Sequence, residues 1–261
     1  MPELPEVEEA MLRLRGAIEG KTIARLQTLH PSFSRQLPAA SARRLRQQVV
    51  DRVERRGKHQ LIHLSNKSIL HAHFRMNGDW LIGSGNEPVH KFTRALIELT
   101  DGTRIELNDS RALSALTLHA AGTDPLPDLG PEANDDSFDA AQLSRALRSR
   151  RIAIKPALMD QRIVAGIGNI YAAEALWRAR INPTAVGSSV TKSRLVRLVA
   201  AVKAVIGDEN RPPGRYTDTD GRERFEAYDR EGKPCSRCGS SIARVAQAGR
   251  STYYCAKCQR T

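Results

Sequence analysis

Four cysteines constrain this chain more than any other feature: Cys235-Ser-Arg-Cys238 and Cys255-Ala-Lys-Cys258, with sixteen residues between the pairs. Each C-x-x-C sets two thiols on one side of a tight turn, and two such turns complete a tetrahedron. A redox pair accounts for one C-x-x-C but not for both, so the four are read as ligands of a single zinc ion. With all four positions filled by protein the ion is structural, and it fixes a compact segment over residues 228–261. Between the pairs, SSIARVAQAGRSTYY reads as a β-hairpin carrying Arg244 and Arg250. Two uses of that hairpin stand: insertion into a DNA groove, or a solvated turn with ordinary surface arginines.

Charge narrows the partner. Forty-one Lys and Arg stand against 29 Asp and Glu, a formal charge of +12. Such a balance points to a polyanion, with nucleic acid first and an anionic membrane surface as the competitor. No run approaches the ~20 apolar residues that span a bilayer. The acidic opening residues lack the basic and apolar regions of a signal peptide. A cytoplasmic chain is expected, where thiols stay reduced and serve as metal ligands rather than disulfides.

The pattern of apolar residues changes twice. Residues 2–15 carry Leu4, Val7, Met11 and Leu14 at helical spacing. From Lys21 to His119 short alternating runs follow, such as QLIHL, SILHAHF, RALIELT and TRIELND, the last two joined by the hairpin signal Asp101-Gly102. Strands of this kind need a second layer, which predicts an antiparallel β-sandwich with flanking helices over residues 1–122. TDPLPDLGPEANDD, residues 123–136, has four Pro or Gly and no apolar period, and reads as a linker. Helical periodicity returns over 137–206, and the expected helical domain extends to residue 227 before the zinc segment. The chain is therefore expected to be α+β in two domains.

Three further stretches carry chemistry. In KPALMDQRIVAGIGNIYAAEALWRAR, Pro156 begins a helix, Gly166-Ile167-Gly168 interrupts it, and Asn169 can cap the next. A glycine turn ending at a helix N-terminus exposes N–H groups suited to phosphate; helix packing alone is the competing reading. In ERRGKHQLIHL, Lys58 follows Gly57 in a turn between strands. A turn lysine is ordinarily just solvated, but beside a reacting phosphate it is a point charge. The opening MPELPEVEEA fits a helix start, with Pro in the first turn and Glu at the positive end of the dipole. It also offers Pro2 as a secondary amine once Met1 is removed. His71 and His73, two apart in a strand, read either as a metal pair or as core or interface histidines.

Together, PELPEVE, the R-G-K turn, the GIGNIYA segment and the cysteine pairs resemble, in that order, the Fpg/Nei family of DNA glycosylases, in its formamidopyrimidine-DNA glycosylase branch. The resemblance covers nearly the whole chain. It implies a helix–two-turns–helix domain ending in a zinc finger, and a bifunctional DNA glycosylase and abasic-site lyase removing oxidised or ring-opened purines. It implies Pro2 as the nucleophile at C1′, forming an iminium that drives β- and δ-elimination, with Glu3 as acid and base. A terminal α-amine has a pKa near ~8, so unlike a lysine it needs no special depression to attack. Glu6 supports that site. Lys58, Asn169 and Arg250 hold phosphates around the flipped nucleotide, Lys155 borders the lesion pocket, and His90 and Arg111 also contact DNA. Met76, Arg111 and Leu113 are the wedge. The implied partner is damaged double-stranded DNA at the nucleoid of a bacterial cytoplasm, bound by a monomer with no membrane.

Two departures bear on the lesion. The family's wedge phenylalanine is Leu113 here, preceded by Ala112, and leucine wedges but stacks less well. The segment from Gly207 to Tyr228 is short and lacks the family's Gly-Gly-Thr-Thr element, where the family forms a loop over everted 8-oxoguanine. Activity is therefore expected on ring-opened purines and abasic sites, with 8-oxoguanine excision weaker. The competing class is a non-catalytic or lesion-shifted binder of damaged DNA on the same scaffold. Joint retention of Pro2, Glu3, Lys58, Asn169 and Arg250 favours the enzyme.

Overall fold

The computed structural model describes residues 1–208 and 225–260, so most of the Gly207–Tyr228 segment lies outside the described residues. The chain divides into two compact units, Met1–Pro127 and Asp128–Thr261.

In the first unit α1 (Leu4–Ile18) follows an extended Glu3 and buries Leu4, Val7, Met11, Leu14 and Ile18, the face set by its apolar spacing. Eight strands follow: β1 (Ile23–Thr28), β2 (Val50–Arg56), β3 (His59–Leu64), β4 (Ile69–His73), β5 (Asp79–Ser84), β6 (Thr93–Leu99), β7 (Thr103–Asn108) and β8 (Ala115–His119). They form two antiparallel four-stranded sheets, ordered β1-β6-β7-β5 and β2-β3-β4-β8. One apolar core takes Ile23, Ile97 and Leu107 from the first sheet, Val53, Ile62 and Leu70 from the second, and the buried face of α1. Inside it the Trp80 indole N–H donates to Gln60 Oε1 at 2.8 Å, a polar bridge between the sheets.

Alternation predicts strand throughout residues 21–119, but two short helices, α2 (Pro31–Gln36) and α3 (Ala39–Arg43), interrupt it. The reason is local. Pro31 occupies the first helical turn, His30 accepts the Ser32 N–H as a cap, and Pro38 starts the next helix.

The second unit holds α4 (Ala140–Leu147), α5 (Ile154–Met159), α6 (Asn169–Ala179), α7 (Lys192–Ile206) and the hairpin β9 (Ala243–Gln247) with β10 (Arg250–Tyr254). Residues 130–133, within the stretch read as linker, belong to it: the Gly130 N–H donates to the Gln161 carbonyl and the Ala133 N–H to that of Ala165. A Cβ at Gly130 would lie 2.6 Å from the Ile163 backbone, so this approach needs glycine. Asn169 does not cap α6; Gly168 is the cap residue and Asn169 the first helical one, which releases its amide for other partners. No described helix is long and apolar enough to cross a membrane.

Candidate active site and nucleic-acid interface

Pro2 and Glu3 are both buried, Glu3 to 1% exposure. Glu3 caps α1 reciprocally: its carboxylate accepts the Glu6 N–H, while Glu6 Oε2 accepts the Glu3 N–H at 3.0 Å. Both readings of the opening residues thus converge on one carboxylate. A turn further on, Glu8 pairs with Arg55, whose guanidinium also donates to the Gly57 carbonyl at 2.9 Å. Gly57 takes the left-handed conformation (φ 59°) that the β2–β3 turn requires, and Lys58 beside it is 6% exposed. The start of α1 and the Lys58 turn are therefore tied through one arginine.

Met76, Arg111 and Leu113, the positions expected to form a wedge, lie on two turns that lock together. Met76 and Leu113 are exposed, at 37% and 48%, as is Arg111, and Ala112 between them has φ 52°. Asp109, fully buried, holds this turn: its carboxylate accepts N–H groups from Arg111 (3.0 Å), Leu113 (2.8 Å) and Ser114 (2.7 Å), and the Ser114 hydroxyl at 2.7 Å. Burial opposes its ionisation, but these donors outweigh burial and hold the carboxyl below its ordinary value. The Ser114 hydroxyl also reaches the Phe74 carbonyl, and a Cβ at Gly78 would lie 2.4 Å from its oxygen. Gly78 therefore lets the Met76 turn close onto the Leu113 turn.

His90 is exposed at the end of the β5–β6 connection, where its N–H donates to the buried Glu106 at 3.1 Å. Glu106 pairs with Arg104 at 2.9 Å, and Arg104 donates to the carbonyls of Gly85, Glu87 and Pro88, fixing the connection that carries His90. His71 and His73 join His59 rather than forming an isolated pair. His59 Nδ1 and His71 Nε2 are 2.8 Å apart, and the His59 and His73 rings meet edge-on at 4.7 Å. Burial first, then neighbouring positive charge, pushes His59 and His71 down to about 4 and His73 to about 3, so all three are neutral at pH 7.

In the second unit Lys155 is buried to 1% exposure. Its ammonium donates to Asn169 Oδ1 (2.5 Å), Thr252 Oγ1 (2.8 Å) and the Ser251 carbonyl (3.2 Å), and Asn169 Nδ2 donates to the same carbonyl at 3.1 Å. Lys155, Asn169 and the hairpin are thus one network. Arg250, exposed at the hairpin's turn, borders a cavity of about 200 Å³ with Lys155 and Met159. Arg244 pairs with Glu231 at 3.4 Å.

The cysteine sulfurs of positions 235, 238, 255 and 258 all lie within 4.8 Å of one another. A zinc tetrahedron with ~2.3 Å bonds needs sulfurs about 3.8 Å apart, so this all-thiol set fits one structural ion.

The chain matches three family models: formamidopyrimidine-DNA glycosylase N-terminal domain over residues 1–116, formamidopyrimidine-DNA glycosylase H2TH domain over 129–209, and zinc finger found in FPG and IleRS over 232–261. It is 39% identical over 275 residues to the formamidopyrimidine-DNA glycosylase of Sphingopyxis alaskensis, covering all of both chains. The chain belongs to the formamidopyrimidine-DNA glycosylase family. The protein of the same name from Rhodospirillum rubrum is 36% identical, again over the full length of both. Among solved structures, Lactococcus lactis Fpg bound to DNA containing an AP site superposes with a TM-score of 0.89 at 26% identity, covering 99% of this chain and all of the other. MutM in complex with DNA containing carbocyclic 8-oxo-G gives 0.89 at 28% identity over all of both.

Within this glycosylase scaffold, sequence reasoning passed over two carboxylates that position others. Asp109 appeared only as the last residue of the strand TRIELND, although an aspartate followed by serine at a strand end is itself a turn signal. Glu174, 5% exposed on α6, accepts the N–H groups of Glu226, Ala227 and Tyr228 at 2.8–3.0 Å and so anchors the chain entering the zinc finger. A lone glutamate in an apolar helix gives no sequence signal of that kind. Arg237, stacked 3.5 Å over the Trp177 ring and donating to the Trp177 carbonyl, completes the finger's attachment to α6.

Proposed function

We propose that this chain is a base-excision DNA glycosylase and abasic-site lyase acting on damaged duplex DNA, with Pro2 as nucleophile and Glu3 as its acid and base. The observation that carries the reading is the buried Pro2-Glu3 pair at the N-terminus of α1. Removal of Met1 would leave Pro2 a secondary amine beside the positive end of a helix, which disfavours the ammonium and keeps the lone pair free. Attack at C1′ of the damaged nucleotide breaks the glycosidic bond, and the base leaves with its electron pair and takes a proton. The C1′–O4′ bond then opens, O4′ taking a proton from Glu3 as the nitrogen lone pair forms the C=N bond. The resulting iminium acidifies C2′, so elimination expels the 3′ phosphate and then the 5′ phosphate.

The other site residues divide between holding and opening the duplex. Lys58 supplies a fixed positive charge to phosphate, and Glu6 keeps the Glu3 backbone in register. Asn169, oriented by Lys155, and Arg250 take further phosphates, while His90 and Arg111 contact the backbone. Met76, Arg111 and Leu113 fill the gap left by the flipped nucleotide, offsetting an unstacking cost of a few kcal/mol. Zinc bound to the four cysteines organises the hairpin that carries Arg250 and takes no part in the reaction. The protein acts as a monomer in the cytoplasm.

On the lesion, we infer a preference for ring-opened purines and abasic sites over 8-oxoguanine. Related proteins are known with each: L. lactis Fpg with AP-site and Fapy-dG DNA, and MutM with carbocyclic 8-oxo-G. Leu113 in place of an aromatic ring suits lesions that already distort the stack. Borohydride trapping on abasic duplex, with intact mass of the adduct, tests the chemistry. A covalent adduct at Pro2, weakened strongly in Pro2→Gly and Glu3→Gln, is expected. Parent rates in both variants would show that Pro2 and Glu3 are not the nucleophile and the acid and base, whereas binding without adduct or cutting by the parent would favour the non-catalytic binder. Single-turnover rates on matched duplexes test the lesion, and an 8-oxoguanine rate equal to the formamidopyrimidine rate would overturn the preference.

A further inference from the structure

β1 is an edge strand of its sheet, and its free edge faces a groove. Arg25, Leu26, Gln27 and Thr28 pair with Glu98, Ile97, Leu96 and Ala95 of β6, and the Leu29 N–H donates to the Arg94 carbonyl at 2.8 Å. In an antiparallel ladder of that phase, positions 25, 27 and 29 exchange hydrogen bonds with β6, and Leu26 and Thr28 point their N–H and C=O groups outward. Ile23, at the start of β1, is bonded on that side to Gln47 and Gln48, but among the described residues no strand pairs with the outward side at Leu26 and Thr28. It is a cavity of about 340 Å³ between β1 and α3, lined by Ala24–Thr28 on one wall and by Ala39, Ala42, Arg43 and Arg46 on the other. Three arginines, Arg25, Arg43 and Arg46, border it with no carboxylate among the lining residues. All three are exposed, and their guanidinium groups make no ion pair or hydrogen bond among the described residues. None belongs to the catalytic or DNA-holding set above.

We propose that this groove docks an acidic, extended peptide segment of a partner protein, added as a further strand to β1. An unpaired strand edge offers alternating donors and acceptors, which only another extended backbone satisfies together. A phosphate would meet the arginines and the outward N–H groups, but the outward carbonyls of Leu26 and Thr28 would repel it. The arginine rim selects for carboxylates on the incoming segment, through the same charge complementarity that steers association. The small Ala39 and Ala42 on α3 leave room for its side chains.

The test uses the full chain and a fluorescein-labelled ten-residue peptide alternating Glu and Thr. Polarisation should report saturable binding, reduced at least tenfold when every peptide amide is N-methylated, since charge is kept and the donors are lost. The Arg25→Glu/Arg43→Glu/Arg46→Glu variant should also bind at least tenfold more weakly, and cut abasic DNA within twofold of the parent. Amide exchange should slow at Leu26 and Thr28 on peptide addition and stay unchanged at Arg25 and Gln27, already bonded to β6. Equal binding of the N-methylated peptide, or no binding at millimolar peptide, overturns the proposal. So does displacement of the peptide by duplex DNA together with loss of DNA binding in the triple variant, which would make the face a nucleic-acid surface. Cutting of abasic DNA is read separately, so failure of the peptide arm leaves the glycosylase reading untouched.

Discussion

Asp109 in the first unit and Glu174 in the second do the same job with their carboxyls shifted in opposite directions. Each is a buried carboxylate that gathers backbone N–H groups from a short segment and holds it in place. Four donors, one of them a hydroxyl, outweigh burial at Asp109 and push its carboxyl down. At Glu174 burial dominates its three backbone donors, with Glu226 nearby, and pushes the carboxyl up. The difference shows that donor count alone does not set the charge of a clamp; depth competes with it. It also separates two uses. The ionised clamp shapes the exposed Leu113 turn, and the deep one fastens a finger whose four cysteines fit one structural zinc.

The largest effect that would sharpen this contrast is removal of the metal. Cys238→Ser, or a strong chelator, should release the one zinc found by elemental analysis and lower DNA affinity by more than a hundredfold. Glu174 then clamps a segment with nothing folded behind it, because about thirty residues cannot hold a core alone. Hydrogen exchange should rise across residues 225–260 and stay at parent levels across β1–β8. Full DNA affinity without metal would show that the clamp, not the zinc, shapes the finger.

Next is Asp109→Ala, which leaves three N–H groups without their acceptor, while the Ser114 hydroxyl keeps the Phe74 carbonyl. A loss of about 3 kcal/mol in the first unit is expected from denaturant unfolding. Single-turnover excision should fall more on stacked lesions than on abasic DNA, because the Leu113 turn loses its shape. Unchanged stability would mean that water replaces the carboxylate, and the clamp description would fail at that site.

The amide substitutions separate the two carboxylates by charge rather than by size. Asp109→Asn removes a negative charge that its surroundings stabilise, and should cost about 2 kcal/mol. Glu174→Gln removes one that its surroundings penalise, and should cost about 1 kcal/mol or less, since one lost acceptor is offset by relief from burying charge. Equal costs would show that hydrogen-bond count alone governs both clamps.

These two carboxylates also mark where the sequence stopped being legible. The zinc site, the alternating strands and the α1 face were readable because each rests on local spacing: two residues between cysteines, a period of two, a period near 3.6. Lys58 and Gly57 were readable because a turn between strands leaves few places for a lysine to go. Glu174 was not, since its three partners lie more than fifty residues away. Lys155 lines the cavity beside Arg250, but its burial against Asn169, Ser251 and Thr252 was not legible, since two of those partners lie more than ninety residues away. Short helices α2 and α3 were missed because a six-residue helix has too few apolar positions to show its period. The β1 groove was invisible for a different reason: an edge exists only by virtue of what does not pair with it.

The smallest expected effect concerns acid, and it distinguishes the clamps from the histidine face of the same sandwich. His59, His71 and His73 are neutral in the fold and would protonate near pH 6.5 once unfolded. With folded values depressed to about 4, 4 and 3, the unfolded chain binds more protons below pH 6.5. Stability of the first unit is therefore full above that pH and declines as pH falls toward 4. Asp109 adds nothing to this slope between pH 6 and 5, because its carboxyl is ionised there in both the folded and the unfolded chain. Each fully coupled proton is worth about 1.4 kcal/mol per pH unit. Partial exposure of His59 and repulsion among the three rings reduce the sum, so a slope of roughly one proton is expected between pH 6 and 5. Hydrogen exchange of the β3 and β4 amides across that range measures it in the full chain. His71→Phe keeps a flat ring in the stack and removes one titrating group, so the slope should drop by about a third. An unchanged slope in that variant would show that burial of His71 does not contribute to the acid sensitivity, which would then belong to other groups.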